Sequence, residues 1–459
     1  MIWNEAVEAM PRAQLEALQS QRLAELVARL YDRVPFYRQA LDARGIRPGS
    51  IRGLADLDRL PCTRKSDLHE HYPLGLLAVA RGELARIHAS SGTGGKPTIV
   101  GYTRGDLETW AEVCARCLAA AGARPGQVFQ NAYGYGLFTG GLGLHAGAER
   151  LGLTVVPASV GNTAQQITLM QDLGTEVLAC TPSYALTIAD AIEARGIDRH
   201  SLRLETLLLG AEPWTQSMRA AIESRLGANA INIYGLSEVI GPGVSIECVD
   251  VKHGSHVFED HFLIEVLDPD SEEPVPDGHI GELVFTTLTK EALPLVRFRT
   301  GDLSAVTREP CRCGRTLARM MRIVGRTDDM LIIRGVNVYP SQIESVLLEF
   351  EELSPHYQLT VSRPARQDEF EVMVEIAHEA CAEPVAIVTE TTMGEIAASE
   401  LARRVEGRLR EMLGVHARVN CCTPGQLPRS DGGKLARVRD TRGLAEREAP
   451  DISQKAVHV

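Results

Sequence analysis

Between about residues 85 and 285 the chain alternates short apolar runs with amphipathic stretches, and this constrains its fold more than any other feature. Runs at 87–89, 99–102, 154–157, 177–179, 206–209 and 230–234 are short enough for strands, and several lead through turn residues into a helical pattern. Strand, turn and helix repeated in this way specify a largely parallel sheet. The stretch 104–121 places Leu107, Trp110, Cys114 and Cys117 three to four residues apart, as one helical face requires. The first sixty residues read as helices, for example 15–31. From 261 to 305 the pattern turns strand-rich, with runs at 261–268, 281–288 and 294–298. A boundary follows near 326–329, and beyond it strands at 331–333, 358–361 and 370–376 and a helix at 397–413 make a small α+β domain. The charged tail from Thr441 is expected to be loosely held.

Composition removes several classes of function. A formal charge of −12 leaves no large nucleic-acid footprint. No apolar stretch reaches the ~18 residues of a membrane helix. The opening MIWNEAVEAM has no basic cluster before an apolar core, so it does not read as a secretory signal. Ten cysteines in 459 residues are not a disulfide framework, and a reducing cytoplasm is the expected location.

The densest chemical signal is Ser90-Ser91-Gly92-Thr93-Gly94-Gly95-Lys96-Pro97-Thr98. Hydroxyls, glycines and a lysine in one loop can turn N–H groups toward phosphate oxygens. The nucleotide P-loop spacing is absent: its first glycine would stand at position 90, which is Ser, and Pro97 replaces the magnesium-binding hydroxyl residue. Alone, the segment reads equally well as a surface turn. Gly210-Ala211-Glu212-Pro213 and Tyr234-Gly235-Leu236-Ser237-Glu238 each end a predicted strand, where α/β folds place their ligands. Farther on stand Phe298-Arg299-Thr300-Gly301-Asp302, Gly325-Arg326-Thr327-Asp328-Asp329 and Gly432-Gly433-Lys434. Singly, Asp302 is a turn carboxylate, Arg326 a solvated charge and Lys434 a tail residue.

In this order, over residues 13–439, the motifs resemble the adenylate-forming superfamily, specifically the phenylacetate–CoA ligase family. The segments 133–143 (YGYGLFTGGLG), 259–262 (EDHF) and 334–340 (RGVNVYP) support the narrower match. The resemblance implies an α/β fold: a large adenylate-forming N-terminal domain with mostly parallel sheets, residues 1–325, and a small mobile α+β C-terminal domain, residues 326–459, carrying the catalytic lysine. It implies ATP-dependent activation of an aromatic acid as acyl-adenylate and transfer to CoA, releasing AMP and pyrophosphate.

The same resemblance assigns residues. Ser90, Ser91, Gly92, Thr93, Gly95 and Lys96 hold the β- and γ-phosphates, and Glu238 holds Mg²⁺. Gly210, Ala211, Glu212, Pro213, Tyr234, Gly235 and Ser237 frame the adenine and the adenylate. Asp302 takes the ribose hydroxyls with Arg326 nearby, and Lys434 reaches the α-phosphate during adenylation. Asp328 is the hinge, and Gly335 lies where the CoA arm passes. Tyr133, Tyr135, Phe138, Gly140 and Gly141 line the acid pocket, whereas Leu137 is expected in the core. Two positions depart from the family pattern: Gly94 stands where Thr is common, and Ala146 where phenylacetate enzymes commonly have Tyr, which leaves the acid open. A carrier-protein phosphopantetheine thiol is an alternative acceptor with the same chemistry. A catalytically silent nucleotide-binding protein is the rival from another class, opposed by the presence of Lys434, Glu238, Asp302 and Arg326. Relatives are commonly homodimers.

Cys248, His256 (or His253), Cys311 and Cys313 offer three thiolates and an imidazole, the ligand set of a closed structural zinc site. Metal-free cysteines in a Gly/Arg loop are the competing reading. Some family members carry such a site, and His256 matches their histidine position better than His253.

Overall fold

The apolar runs at 177–179, 206–209 and 230–234 become the centre of a nine-stranded sheet among the described residues, with 154–156 at its edge, whereas 87–89 and 99–102 pair only with each other in a separate antiparallel hairpin. The computed structural model describes residues 1–90, 97–327, 330–333, 336–363, 368–377, 390–433 and 435–442. Across the sheet the order is Val306–Thr307, Arg319–Met320, Ser255–Val257, Gly241–Glu247, Asn229–Leu236, Thr206–Gly210, Val177–Cys180, Val128–Asn131 and Thr154–Val156. The last five pair in parallel, and every pairing on the other side is antiparallel. Val177–Cys180 and Thr206–Gly210 are buried along their whole length. That is why they read as unbroken apolar runs rather than alternating ones.

Val128–Asn131 lacks that signal because half of it is polar. Its Gln130 and Asn131 are buried with their amides bonded to Gln166 Oε1 at 2.6 Å and Gly141 O at 2.8 Å. The antiparallel strands have no helix between them, so the strand–helix alternation does not reach them.

Helix Arg104–Ala120 begins in a capping box. Asp106 N–H donates to Thr103 Oγ1 and the Asp106 carboxylate accepts from Thr103 N–H, both at 3.0 Å. Beyond the expected face of Trp110, Cys114 and Cys117, the stretch from Val113 to Ala120 is buried all round. It can be enclosed because helix Gly140–Leu151 crosses it through glycines. A Cβ on Gly143 would stand 2.4 Å from the Trp110 ring, and one on Gly147 2.3 Å from Cys114 Cβ. The buried Arg116 is offset by a bidentate pair with Asp260 at 2.9 and 3.0 Å.

Strands Phe262–Leu267, Gly281–Thr287 and Phe298–Ser304 form an antiparallel group beside this core. The apolar run 294–298 reads as a strand, but pairing starts only at Phe298. Arg297 takes a left-handed conformation (φ 43°) and turns the chain while its guanidinium binds Glu265 at 3.0 and 3.1 Å.

The chain forms two units. The larger comprises residues 1–213 and 221–323 with 431–433, and the smaller begins its main span at Val324. The smaller unit holds the hairpin Leu331–Ile333/Val336–Val338 and a sheet ordered Arg418–Cys422, Glu369–Ile376, Leu353–Ser362, Val438–Asp440. Helices Pro340–Leu347 and Glu390–Leu413 cover it, and Val346, Leu359, Val361, Val372, Val405 and Leu409 form its core. The second helix starts earlier than the apolar pattern from 397 indicates. No helix among the described residues is long and apolar enough to cross a membrane.

Candidate active site

The carboxyl ends of two strands, Arg86–Ser90 and Asn229–Leu236, meet at Glu238. Strand Arg86–Ser90 pairs with Thr98–Tyr102 and so holds both ends of the glycine-rich segment. Ser90 Oγ donates to Glu238 Oε1 at 3.0 Å, and Lys65 Nζ lies 3.8 Å from the same oxygen. Glu238 is only 5% exposed, so its charge is held in a poorly solvated wall. The segment around it is fastened by its backbone. The Tyr102 hydroxyl is shared between the carbonyls of Ser237 (3.3 Å) and Ile240 (3.1 Å), and Lys290 Nζ donates to the Glu238 carbonyl at 2.9 Å. Burial pulls the Lys290 ammonium down to about 8. Ser237 Oγ and Thr139 Oγ1 are 3.0 Å apart. Ser91, Gly92, Thr93, Gly95 and Lys96 lie outside the described residues.

Sequence reading missed Lys65, Tyr102 and Lys290. Lys65 and Lys290 belong to segments with no glycine or strand-end signature, Tyr102 ends the run 99–102 as an apolar strand residue, and only tertiary packing brings the three to Glu238.

Next to this cluster, the Tyr234 hydroxyl donates to Asp302 Oδ2 at 2.7 Å. The Tyr234 ring stacks on Phe285 with centroids 6.1 Å apart. Asp302 is steadied by its own N–H, which donates to Thr300 Oγ1 at 2.9 Å. The two strand-end glycines are required by close backbone approach. A Cβ on Gly210 would lie 2.2 Å from Ile233 O, and one on Gly235 1.8 Å from Gly241 O. Ala211 then turns the chain at φ 71°. The Glu212 carboxylate is engaged by Ser183, whose Oγ donates at 2.6 Å. Pro213 follows at the edge of the larger unit.

Of the residues expected to line an acid pocket, Tyr133 is buried, with its hydroxyl shared between Cys180 O (2.6 Å) and Gly210 O (3.2 Å). That phenol ties two strand ends together. Tyr135 is more open: its oxygen accepts from Asn131 Nδ2 at 3.0 Å and sits 3.1 Å from His145 Nδ1, and burial raises its pKa to about 12. Gly140 and Gly141 let the following helix start against this loop, since a Cβ on Gly141 would fall 2.5 Å from Gly134 O. Phe138 is 57% exposed. Leu137, expected in the core, is 54% exposed, because the loop docks through its backbone: Leu137 O accepts from Ala89 N–H at 3.0 Å and lies 3.0 Å from His88 Nδ1.

Arg326 belongs to the smaller unit, in the short strand Gly325–Arg326, where the Tyr339 ring leaves no room for a Cβ on Gly325. Asp328, Gly335 and Lys434 lie outside the described residues.

Away from Glu238, the structure brings Cys248, His256, Cys311 and Cys313 together, with all four potential ligand atoms within 4.8 Å of one another. Cys248 Sγ is 3.8 Å from Cys311 Sγ, and Cys313 Sγ is 3.4 Å from His256 Nε2. A tetrahedral ion with metal–sulfur bonds of ~2.3 Å separates its ligand atoms by roughly 3.5–3.8 Å, and these two separations are close to that spacing. Hydrogen bonding, chiefly from His256 to Cys311 and from Cys248 to Cys313, holds both thiols below the usual range. His253 is not in the group.

The chain matches the family model of the AMP-binding enzymes over residues 28–288 and that of the AMP-binding enzyme C-terminal domain over residues 335–442. Its architecture is that of an adenylate-forming enzyme. It superposes on 2-hydroxyisobutyryl-CoA ligase in the postadenylation state, in complex with an acyl-AMP, with a TM-score of 0.88 and 28% identity, covering 97% of this chain and 94% of the other. It is 56% identical to the phenylacetate–coenzyme A ligase of Thermus thermophilus over 96% of this chain and 100% of the relative. With the enzyme of the same name from Aromatoleum evansii it shares 49% identity, over 95% of this chain and 97% of the relative. The chain belongs to the phenylacetate–coenzyme A ligase family, AMP-forming acid–CoA ligases that use ATP and CoA and pass through an acyl-adenylate.

Proposed function

We propose that this protein activates phenylacetate or a closely similar aromatic acid as its adenylate and transfers the acyl group to CoA. The observation that carries the reading is the Ser90–Glu238 hydrogen bond, which joins the start of the glycine-rich segment to a buried carboxylate at a neighbouring strand end. A hydroxyl- and glycine-rich loop beside a fixed carboxylate suits a metal-bound triphosphate. The relatives named above supply the acid class.

In the first half-reaction an acid oxygen bonds to the α-phosphorus of ATP and the bond to the bridging oxygen breaks, releasing pyrophosphate. Catalysis consists of holding the groups in line and neutralising charge. Ser90, Ser91, Gly92, Thr93, Gly95 and Lys96 cradle the outer phosphates. Glu238 holds Mg²⁺, which when bound offsets phosphate charge. Gly210, Ala211, Glu212, Pro213, Tyr234, Gly235 and Ser237 frame the adenylate, and Asp302, kept in place by Tyr234, accepts from the ribose hydroxyls with Arg326 nearby. Lys434 meets the charge that grows at the α-phosphate. In the second half-reaction the CoA thiolate attacks the acyl carbon and AMP leaves. The domain formed by residues 326–459 swings about Asp328 between the two steps, and Gly335 borders the CoA path. Tyr133, Tyr135, Phe138, Gly140 and Gly141 bound the acid pocket. Zn²⁺ on Cys248, His256, Cys311 and Cys313 stabilises the fold away from the chemistry. The reading extends to a cytoplasmic homodimer.

The test is AMP release with ATP and Mg²⁺ across phenylacetate, hydroxyphenylacetates, benzoate, aminobenzoates and indole-acetate, with and without CoA. CoA-dependent AMP with a matching acyl-CoA mass is the expected result. Adenylate without CoA turnover indicates a carrier-protein acceptor, and no AMP with any acid overturns the proposal. Lys434→Ala should depress adenylation far more than thioester formation from a supplied acyl-adenylate; equal losses remove its assigned role.

A further inference from the structure

Lys290 is 3% exposed, and among the described residues no carboxylate lies within ion-pair distance of its ammonium. Its partners are the carbonyl of Glu238 at 2.9 Å and the face of the Tyr102 ring, 5.0 Å from Nζ to the centroid. Enclosing an ammonium carries a large desolvation cost, and one carbonyl, one ring face and the charges of Asp106 and Glu238 beyond contact distance offset only part of it. A neutral side chain would fill the same volume more cheaply, so the charge itself calls for an explanation.

The surroundings are built to hold this lysine still. The Asp106 carboxylate accepts from the N–H groups of Glu291 at 2.6 Å and Ala292 at 2.9 Å. Thr103 Oγ1 donates to Glu291 Oε2 at 2.6 Å, and the Arg29 guanidinium donates to the Lys290 carbonyl. The main chain on which Lys290 rides is thus clamped by two side chains, Asp106 and Arg29, while Thr103 holds the side chain of the neighbouring Glu291. Its ammonium, together with the Tyr102 hydroxyl, then grips the backbone on either side of the Glu238 side chain. Rotation of that peptide would swing the carboxylate, and a misplacement of about 1 Å can cost on the order of 100-fold in rate.

We propose that Lys290 is a positioning residue for Glu238: it fixes the peptide that carries the carboxylate and so sets where that side chain stands. The inference rests on the reading of Glu238 as the residue that receives the metal of metal–ATP. Lysine suits the task because its point charge needs no planar partner and its stem packs along an apolar wall.

The experiment uses the full-length protein with Lys290→Met and Lys290→Gln, titrated calorimetrically with a non-hydrolysable α,β-methylene ATP analogue plus Mg²⁺, and separately with AMP in EDTA. The expected result is a loss of about tenfold or more in affinity for the Mg²⁺ complex, with AMP affinity within about twofold of wild type. Unchanged affinity for the Mg²⁺ complex in a folded variant overturns the proposal. So does an equal loss for both ligands, which would make Lys290 merely structural, and so does failure of both variants to fold. If one variant alone folds, it decides. Glu238→Gln separates the two layers. If it leaves affinity for the Mg²⁺ complex intact, the reading of Glu238 falls; if it weakens that affinity while the Lys290 variants do not, only the Lys290 proposal falls.

Discussion

The hydroxyl of Tyr234 and the carboxylate of Asp302 meet at 2.7 Å, although 68 positions separate them in the chain. The bond links the last strand of the parallel run to the antiparallel group, and a hydroxyl donating to a charged oxygen is worth about 1.5–3 kcal/mol. In Tyr234→Phe the ring keeps its stack on Phe285 while Asp302 loses that donor. With Asp302 serving the ribose, the KM for ATP in pyrophosphate exchange should rise about 3- to 30-fold, with kcat changed less. Asp302→Asn should be worse than Tyr234→Phe. An unchanged KM in both would remove Asp302 from the nucleotide site.

Gly235 has no room for a methyl group, because its Cβ would lie 1.8 Å from Gly241 O. The obstacle is backbone in the adjoining strand, which cannot rotate away. Gly235→Ala should lower the urea midpoint by an amount worth about 1–3 kcal/mol. Gly82, whose Cβ would meet nothing within 4 Å, is the control. Gly82→Ala should leave the midpoint within about 0.5 kcal/mol. Equal midpoints for the two would contradict the packing.

The cysteine–histidine group predicts about one zinc per chain by elemental analysis, as expected for a closed four-ligand site. Cys313→Ser should lose the metal and lower the thermal midpoint. Adenylation at 25 °C should stay within about threefold, since a structural site contributes folding energy rather than chemistry. Metal-free wild-type protein with an unaltered midpoint would discard the site.

Acid should unfold the larger unit partly through Asp260. Burial opposes ionisation of its carboxyl, but the nearby charges of His261 and Arg116 prevail and hold its pKa below the usual range. A carboxyl depressed in the folded state contributes stability above its unfolded pKa of about 3.9, and that contribution is lost as pH falls through the lower folded value. Denaturation followed from pH 6 to pH 2 should show this loss, and Asp260→Asn should flatten that part of the curve. An unchanged slope would mean that the Arg116–Asp260 pair does not govern acid stability.

The sequence by itself determined the strand-rich centre, the small second domain and the strand-end motifs. Apolar runs such as 177–179 and 206–209 leave a local, unbroken apolar signature wherever a strand is buried on both faces. Gly210 and Gly235 were legible for the same reason: close backbone approach demands glycine there whatever surrounds it. Other features depend on which distant segments come together. Leu137 is apolar yet exposed because its loop docks by its backbone, and Arg297 breaks an apolar run by turning left-handed. The gathering of Cys248, His256, Cys311 and Cys313, and of Ser90, Lys65 and Lys290 around Glu238, was settled only by tertiary structure. A lysine carries the same letter in water as in a sealed wall, and only packing decides which solvent its charge meets.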